Sequence, residues 1–381
     1  MRHLLALLIL IATFSLPAVA DAPRPPMLRA KHAILIDADT STVLFDRESN
    51  DVMYPASMTK LMTVYLIFER IKDGRLKWDD TFSVSRKAWR QQGSRSFIEP
   101  GMSVSVRDAV LGIIVHSGND MSVAAAEALA GSEQAFADLM TEKAKQLGMK
   151  NTVFRNATGL HDPGHVSTAA DLAILGLRII KDFPEYYPMY STPEFTMNGI
   201  TQPSRNPLLK KDFEGGDGLK TGHTDEAGYG FVGSAIRHGR RLIGVVAGLP
   251  SPAVRADDII TLLEWGFLNF DNYSIAKAGQ PVIQTPVWLG EHKQASLTSS
   301  ENLVLTLPVA AARNLKASVQ YSEPLPAPLK KGQQVGTIKL EGEALRQTYT
   351  VPLVVSEDNQ KVGSFTALRR RLIYLVTGEA G

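Results

Sequence analysis

The chain has 381 residues, a formal net charge of +2, 44% hydrophobic residues and no cysteine. That length suggests two domains with room for a buried core. The near-neutral balance leaves no electrostatic footprint for nucleic acid, and the missing cysteines exclude both a disulfide framework and a thiolate nucleophile.

In chain order, Arg2 and His3 precede an apolar run at 4–12, and Pro17, Ala18 and Ala20 supply an A-x-A cleavage pattern. Residues 1–20 read as an export signal with Asp21 as the mature N-terminus. The apolar run is too short for a retained membrane anchor. Residues 21–29 form a proline-rich leader. HAILIDADTSTVLFD alternates and turns, which predicts a hairpin. From Ser57 onward Leu61, Val64, Tyr65, Phe68 and Ile71 keep a helical rhythm that Gly74 ends. Further helices are predicted at about 106–115, 120–130 and 133–147, and from Thr168 to about Lys181, where Thr168 and Asp171 resemble a capping box. GYGFVGSAIRHGRRLIGVVAGL predicts two strands around a turn at His238 and Gly239, and a last helix follows at about 255–270.

Residues 30–272 therefore read as a helix-rich domain whose sheet draws on strands near both its ends. Residues 273–361 carry only short strand-like runs such as VWLG, LVLTLP, VGTIKL and YTVPLVV, which predicts a separate all-β domain. In the tail, 362–381, the segment FTALRRRLIYLV puts Phe365, Leu368, Leu372, Leu375 and Val376 on one helical face. Arg370, Arg371 and Tyr374 lie opposite, with Arg369 at the apolar edge. Such a helix suits an anionic membrane surface and is too short to span it; the competing expectation is a helix docked on its own protein. The expected class is α+β.

Three short segments carry the chemistry. In YPASMTKL, Ser57 and Lys60 are three apart at a helix start, where free N–H groups stabilise a developing anion and the lysine amine reaches the hydroxyl. A lysine base must lose roughly three pKa units, worth roughly 4 kcal/mol, which burial and a neighbouring cation supply. Alone this signal is weak, because Ser274 and Lys277 repeat the spacing. In HSGND, Ser117 and Asn119 flank a glycine between two helices; Ser300, Glu301 and Asn302 repeat that pattern too. In DGLKTGHTDEAGYG, Lys220, Thr221 and Gly222 fit an edge strand, with the glycine admitting a substrate backbone. Their order along the chain is Ser57, Ser117, Lys220.

In that order S-x-x-K, S-x-N and K-T-G resemble the active-site serine penicillin-binding proteins and class A β-lactamases. PASMTK, HSGND, GLHDPGHVST, RNPLL, DGLKTGHTDEAGY and the helix ending LLEWGF resemble, more narrowly, the exported D-alanyl-D-alanine carboxypeptidases of the penicillin-binding protein 5/6 type. The resemblance covers nearly the whole mature chain. It implies a serine β-lactamase/transpeptidase-like catalytic domain, an antiparallel sheet with helices, followed by the small all-β domain and the amphipathic helix. It implies peptidoglycan stem peptides as substrate, β-lactams as covalent inhibitors, no cofactor or metal, and a periplasmic place on the outer face of the cytoplasmic membrane.

By that resemblance Ser57 is the nucleophile and Lys60 its base. The N–H groups of Ser57 and His223 form the oxyanion hole. Ser117 relays the proton, Asn119 holds substrate or lysine, and Lys220 adds positive potential that keeps Lys60 neutral. Thr221 and a guanidinium take the terminal carboxylate, Arg205 being favoured over Arg255. His161 and His165, in one loop, read as packing rather than as metal ligands. One departure stands out: WRQQGSRSF, residues 89–97, is shorter than the loop bordering the site in well-known members.

Three other readings compete. A class A β-lactamase needs a deacylating glutamate before K-T-G; the candidate, Glu194 with Asn198, falls in a strand-like stretch, EFTMNGI. A D,D-endopeptidase would use the same residues on cross-links. A non-catalytic cell-wall scaffold has no use for the intact motif set.

Overall fold

The computed structural model describes residues 23–312, 315–342, 345 and 349–377. The expected export signal, and the end of the expected tail beyond Thr377, lie outside them. The chain divides into two compact units, one comprising Pro25–Asn272 and the other holding the residues from Tyr273 onward.

The first unit is built on a five-stranded antiparallel sheet of β1 (His32–Asp37), β2 (Val43–Arg47), β3 (Gly216–Thr224), β4 (Gly228–Arg237) and β5 (Arg240–Leu249), in the order β2-β1-β5-β4-β3. Successive side chains on a strand face opposite ways. Ile34 and Ile36 accordingly enter one core and Ala33 and Leu35 another, and Val232 and Phe231 divide in the same way. Burial on both faces explains the near-continuous apolar text of these strands. The larger core holds α1 (Lys60–Lys72), α2 (Val106–Val115), α3 (Asn119–Ala130), α4 (Glu133–Leu147) and α5 (Ala169–Asp182). The smaller one seats α6 (Pro252–Asn269).

Side-chain caps set several helix starts. Ser105, Ser132, Thr168 and Ser251 accept from the N–H groups of Asp108, Ala135, Asp171 and Val254. The last of these begins α6 earlier than its periodicity predicts, because Pro252 at the first helical position has no N–H to satisfy. Ser57 differs from expectation as well: Ala56–Thr59 is a 3₁₀ turn and the α-helix starts at Lys60. EFTMNGI becomes half of a hairpin, Glu194–Met197 against Ile200–Pro203.

In the second unit a six-stranded sheet runs Lys316–Tyr321, Gln334–Glu341, Tyr349–Val355, Gln294–Ser299, Pro281–Trp288, Leu325–Pro326 in spatial order. Leu297, Ile338, Val351 and Leu353 form its core. The tail helix, α7 (Ser364–Thr377), rests on this unit through its polar side. Tyr374 meets Trp288 edge-on at 4.9 Å, and Arg370 donates to the Gly290 carbonyl at 2.7 Å. Phe365, Leu368, Leu372, Leu375 and Val376 stay exposed. Among the described residues no helix is long and apolar enough to cross a membrane.

Candidate active site

The edge strand β3 has a hydrogen-bonded neighbour on one side only, β4. Over one face of this strand stands the 3₁₀ turn that carries Ser57, since Cβ atoms on the cross-strand partners Gly222 and Gly230 would both meet Met58. Two glycines permit this approach. A Cβ on Gly222 would come 2.9 Å from the Pro55 carbonyl oxygen. On Gly159, whose φ is +80°, a Cβ would overlap the Ala56 carbonyl, so the loop before Leu160 also closes on the turn. The turn itself is strained, with Ala56 at φ +47°.

Between these elements lies a cleft of about 470 Å³ lined by Ser57, Ser117, Asn119, Arg205, Thr221, Gly222, His223 and Arg255. The two lysines expected at the site, Lys60 and Lys220, sit behind this surface, 0% and 3% exposed. The residues singled out from sequence therefore converge. Gly93, Ser94, Leu160, Lys210 and Tyr229, which the sequence reading left aside, line the cleft too.

Lys60 Nζ lies 3.0 Å from Ser57 Oγ, 2.7 Å from Asn119 Oδ1 and 2.6 Å from the Thr158 carbonyl oxygen. Burial, then the charge of Arg205, lowers its pKa from 10.5 to about 7, against an opposing pull from Asp120. A neutral amine has two N–H groups and one lone pair. The two carbonyl oxygens take the N–H groups, and the lone pair faces the Ser57 hydroxyl. Arg205 thus acts on Lys60, and the expected Lys220 is electrostatically coupled to Lys60 as well. Lys220 is itself depressed well below its ordinary value by burial, then by Lys60, Arg205 and Arg255, and donates to the Thr221 carbonyl at 3.1 Å.

Ser117 has φ +68°, and its buried Oγ has no hydrogen-bond partner. A strained residue holding an unpaired hydroxyl against a cleft is poised for a ligand group. Asn119 is fixed at both ends: its Nδ2 donates to the Gln92 carbonyl at 2.6 Å and its backbone N–H to the Ser94 carbonyl at 2.7 Å. Arg205 donates to Ser94 Oγ at 2.5 Å. Arg255, 9% exposed, has a buried Nε without a partner and stands 5.8 Å over the Tyr229 ring. Burial depresses its pKa to about 10. The ring of His223 stacks on Tyr229 at 3.9 Å.

The loop histidines have other work. His165 Nδ1 accepts from the Arg155 N–H, so its Nε2 donates to Thr59 Oγ1 at 2.7 Å, fixing the 3₁₀ turn from behind. His161 packs edge-on against Tyr54. Glu194 does not line the cleft, and its neighbour Asn198 donates to the Phe97 carbonyl.

Comparison with known proteins agrees with this geometry. Residues 19–251 match the family model described as D-alanyl-D-alanine carboxypeptidase, and residues 270–361 match the penicillin-binding protein 5 C-terminal domain. The chain is 39% identical over 357 residues to the D-alanyl-D-alanine carboxypeptidase DacC of Escherichia coli, covering 91% of this chain and 88% of that protein. Penicillin-binding protein 5 of Haemophilus influenzae superposes with a TM-score of 0.76 at 35% identity, over 89% of this chain and 99% of the other. The ampicillin-bound form of penicillin-binding protein D2 from Listeria monocytogenes gives 0.59 at 34% identity, over 64% and 100%. By its catalytic family model and by relatives that match along most of its length, this chain belongs to the D-alanyl-D-alanine carboxypeptidase family.

Proposed function

We propose that this serine-type carboxypeptidase removes the terminal D-alanine of peptidoglycan stem peptides through an ester on Ser57. The observation that carries the reading is the buried Lys60 amine, 3.0 Å from Ser57 Oγ with its pKa brought to about 7. Neutral Lys60 takes the hydroxyl proton as Ser57 attacks the carbonyl between the two alanines. The N–H groups of Ser57 and His223 hold the oxyanion. The C–N bond breaks, and Ser117 passes a proton to the leaving amine. Water then hydrolyses the ester. Asn119 positions Lys60 and the substrate amide, and Lys220 adds positive potential.

Thr221 and the guanidinium groups receive the terminal carboxylate. Both guanidinium groups line the cleft: Arg205 gives Ser94 only one of its N–H groups, and Arg255 stands beside Tyr229. A β-lactam would acylate the same serine.

Product analysis on a muramyl pentapeptide and on cross-linked dimers tests the reaction. Free D-alanine from the first alone is expected; cleavage of the cross-link alone would replace this reading with an endopeptidase. Residues 1–20 are proposed to be removed on export, leaving a catalytic domain at 30–272, a β domain at 273–361 and a membrane-surface tail at 362–381. The outward apolar face of α7 supports the last assignment. Deleting 362–381 should release the protein from anionic vesicles without loss of activity on a soluble peptide. A truncated protein that still sediments with the vesicles refutes it.

A further inference from the structure

Asp120 follows Asn119 at the start of α3 and is 1% exposed. Both its oxygens accept from the Ser96 N–H, at 2.9 and 2.8 Å, and Oδ1 also accepts from the Met121 N–H at 2.9 Å. The Ile98 N–H is a further donor. Burial raises the pKa of Asp120 above the ordinary carboxylate value, and these N–H donors pull against it in favour of the ionised form. Two of these donors lie on the short segment that borders the cleft.

The same segment is tied to the catalytic residues elsewhere. Gln92 and Ser94 carbonyls hold Asn119, Ser94 Oγ holds Arg205, and Ser96 Oγ shares a 2.8 Å hydrogen bond with His116 Nε2. Space is tight around the clamp: a Cβ on Gly118 would lie 2.4 Å from Ser96 Oγ and 3.0 Å from Asp120 Oδ1.

We infer that Asp120 is a positioning residue for acyl transfer: its buried carboxylate clamps the segment 92–98 onto the start of α3 and tunes the field at Lys60. The reading rests on Lys60 as the base of Ser57. The charged or titratable groups facing Lys60 are Arg205 across the cleft, Lys220 on β3, His165 behind the turn and Asp120. Asp120 alone is a standing negative charge among them. It opposes the cations and keeps the amine basic enough to accept a proton.

Acylation of the full-length protein by a fluorescent penicillin, followed across pH, tests the role. The wild-type rate should rise through about pH 7 as Lys60 loses its proton. In Asp120→Asn the midpoint should fall by about half a unit or more, because a negative neighbour has gone. The plateau rate should fall about tenfold as Asn119 loosens. An unmoved or raised midpoint, or an unchanged plateau, overturns the proposal. Amide hydrogen exchange on the wild type provides a second measurement, independent of whether the variant folds. The Ser96 N–H should exchange more slowly than those of its neighbours at 91–95, and equal exchange overturns the clamp. A wild type that never labels refutes acyl transfer itself, and this role with it, even where the exchange pattern stands.

Discussion

Ser57 with Lys60 and Ser274 with Lys277 carry the same spacing in text, and the molecule treats them oppositely. The first pair sits where a 3₁₀ turn meets α1, so residues three apart share a face and the amine reaches the hydroxyl at 3.0 Å. Ser274 lies in the strand Phe270–Ala276, with Lys277 just past its end. On a strand an odd separation sends side chains to opposite faces, and both residues are exposed. Spacing acquires chemical meaning only through the local period and through burial. Lys60 is wholly buried, so its charged form is expensive, whereas Lys277 is exposed to solvent.

The largest effect that can break this comparison is at the nucleophile. Ser57→Ala should lower acylation by about 10⁴-fold or more and abolish the penicillin adduct in intact-mass measurement, while Ser274→Ala should label like the wild type. An adduct that persists in Ser57→Ala removes the acyl-serine mechanism.

A smaller effect tests the base. Lys60→Met should slow acylation about 10³-fold, with Lys277→Met unaffected. Burial of Lys60 should also couple folding to pH. Unfolded Lys60 keeps its proton up to its ordinary 10.5, whereas the folded protein releases it above about 7. Between those values the unfolded state binds more protons, so stability rises with pH across the window. The full penalty, on the order of 5 kcal/mol, applies below it. Denaturant unfolding should show the stability of Lys60→Met relative to wild type greatest near pH 6 and shrinking toward pH 9. A flat difference for Lys60→Met would mean that the buried amine is charged at neutral pH.

These contrasts also mark how far the sequence could be read. Elements with strong periodicity or capping were legible: the hairpin of β1 and β2, the strands around His238, and α5 behind its Thr168 cap. The order of the three motifs was enough to single out Ser57, Ser117, Asn119, Thr221 and Gly222, which line the cleft, but not Gly93, Ser94, Leu160, Lys210 or Tyr229, which line it too. Contacts between distant segments were not legible. The segment 92–98 reads as a polar loop, and nothing local announces that Ser94 will hold Arg205 111 positions away, or that Asp120 will take the Ser96 N–H. Chemistry alone favours Arg205 as carboxylate ligand; only packing reveals that Ser94 takes one of its N–H groups and that Arg255 has an unpaired Nε.

The smallest effect concerns the second pair of look-alikes, Asn119 and Asn302. Asn119 donates to Gln92, accepts from Lys60 and lines the cleft, so replacing it by alanine unbinds a buried amine and a loop together. Asn302 ends the repeated S-x-N pattern in the second unit, where Ser299 Oγ accepts from the Glu301 N–H and the Asn302 side chain accepts from the Ala278 N–H of a distant segment at 3.0 Å. Asn302 thus satisfies one exposed backbone N–H and meets no buried amine. Asn302→Ala removes one exposed hydrogen bond and should cost at most about 1 kcal/mol in unfolding, with penicillin acylation unchanged. Acylation that fell in this variant as it does in Asn119→Ala would mean that the turn in the β unit, and not only the cleft, takes part in the chemistry. Acylation that held would show that S-x-N, like S-x-x-K, becomes catalytic only where the fold brings it to a buried amine.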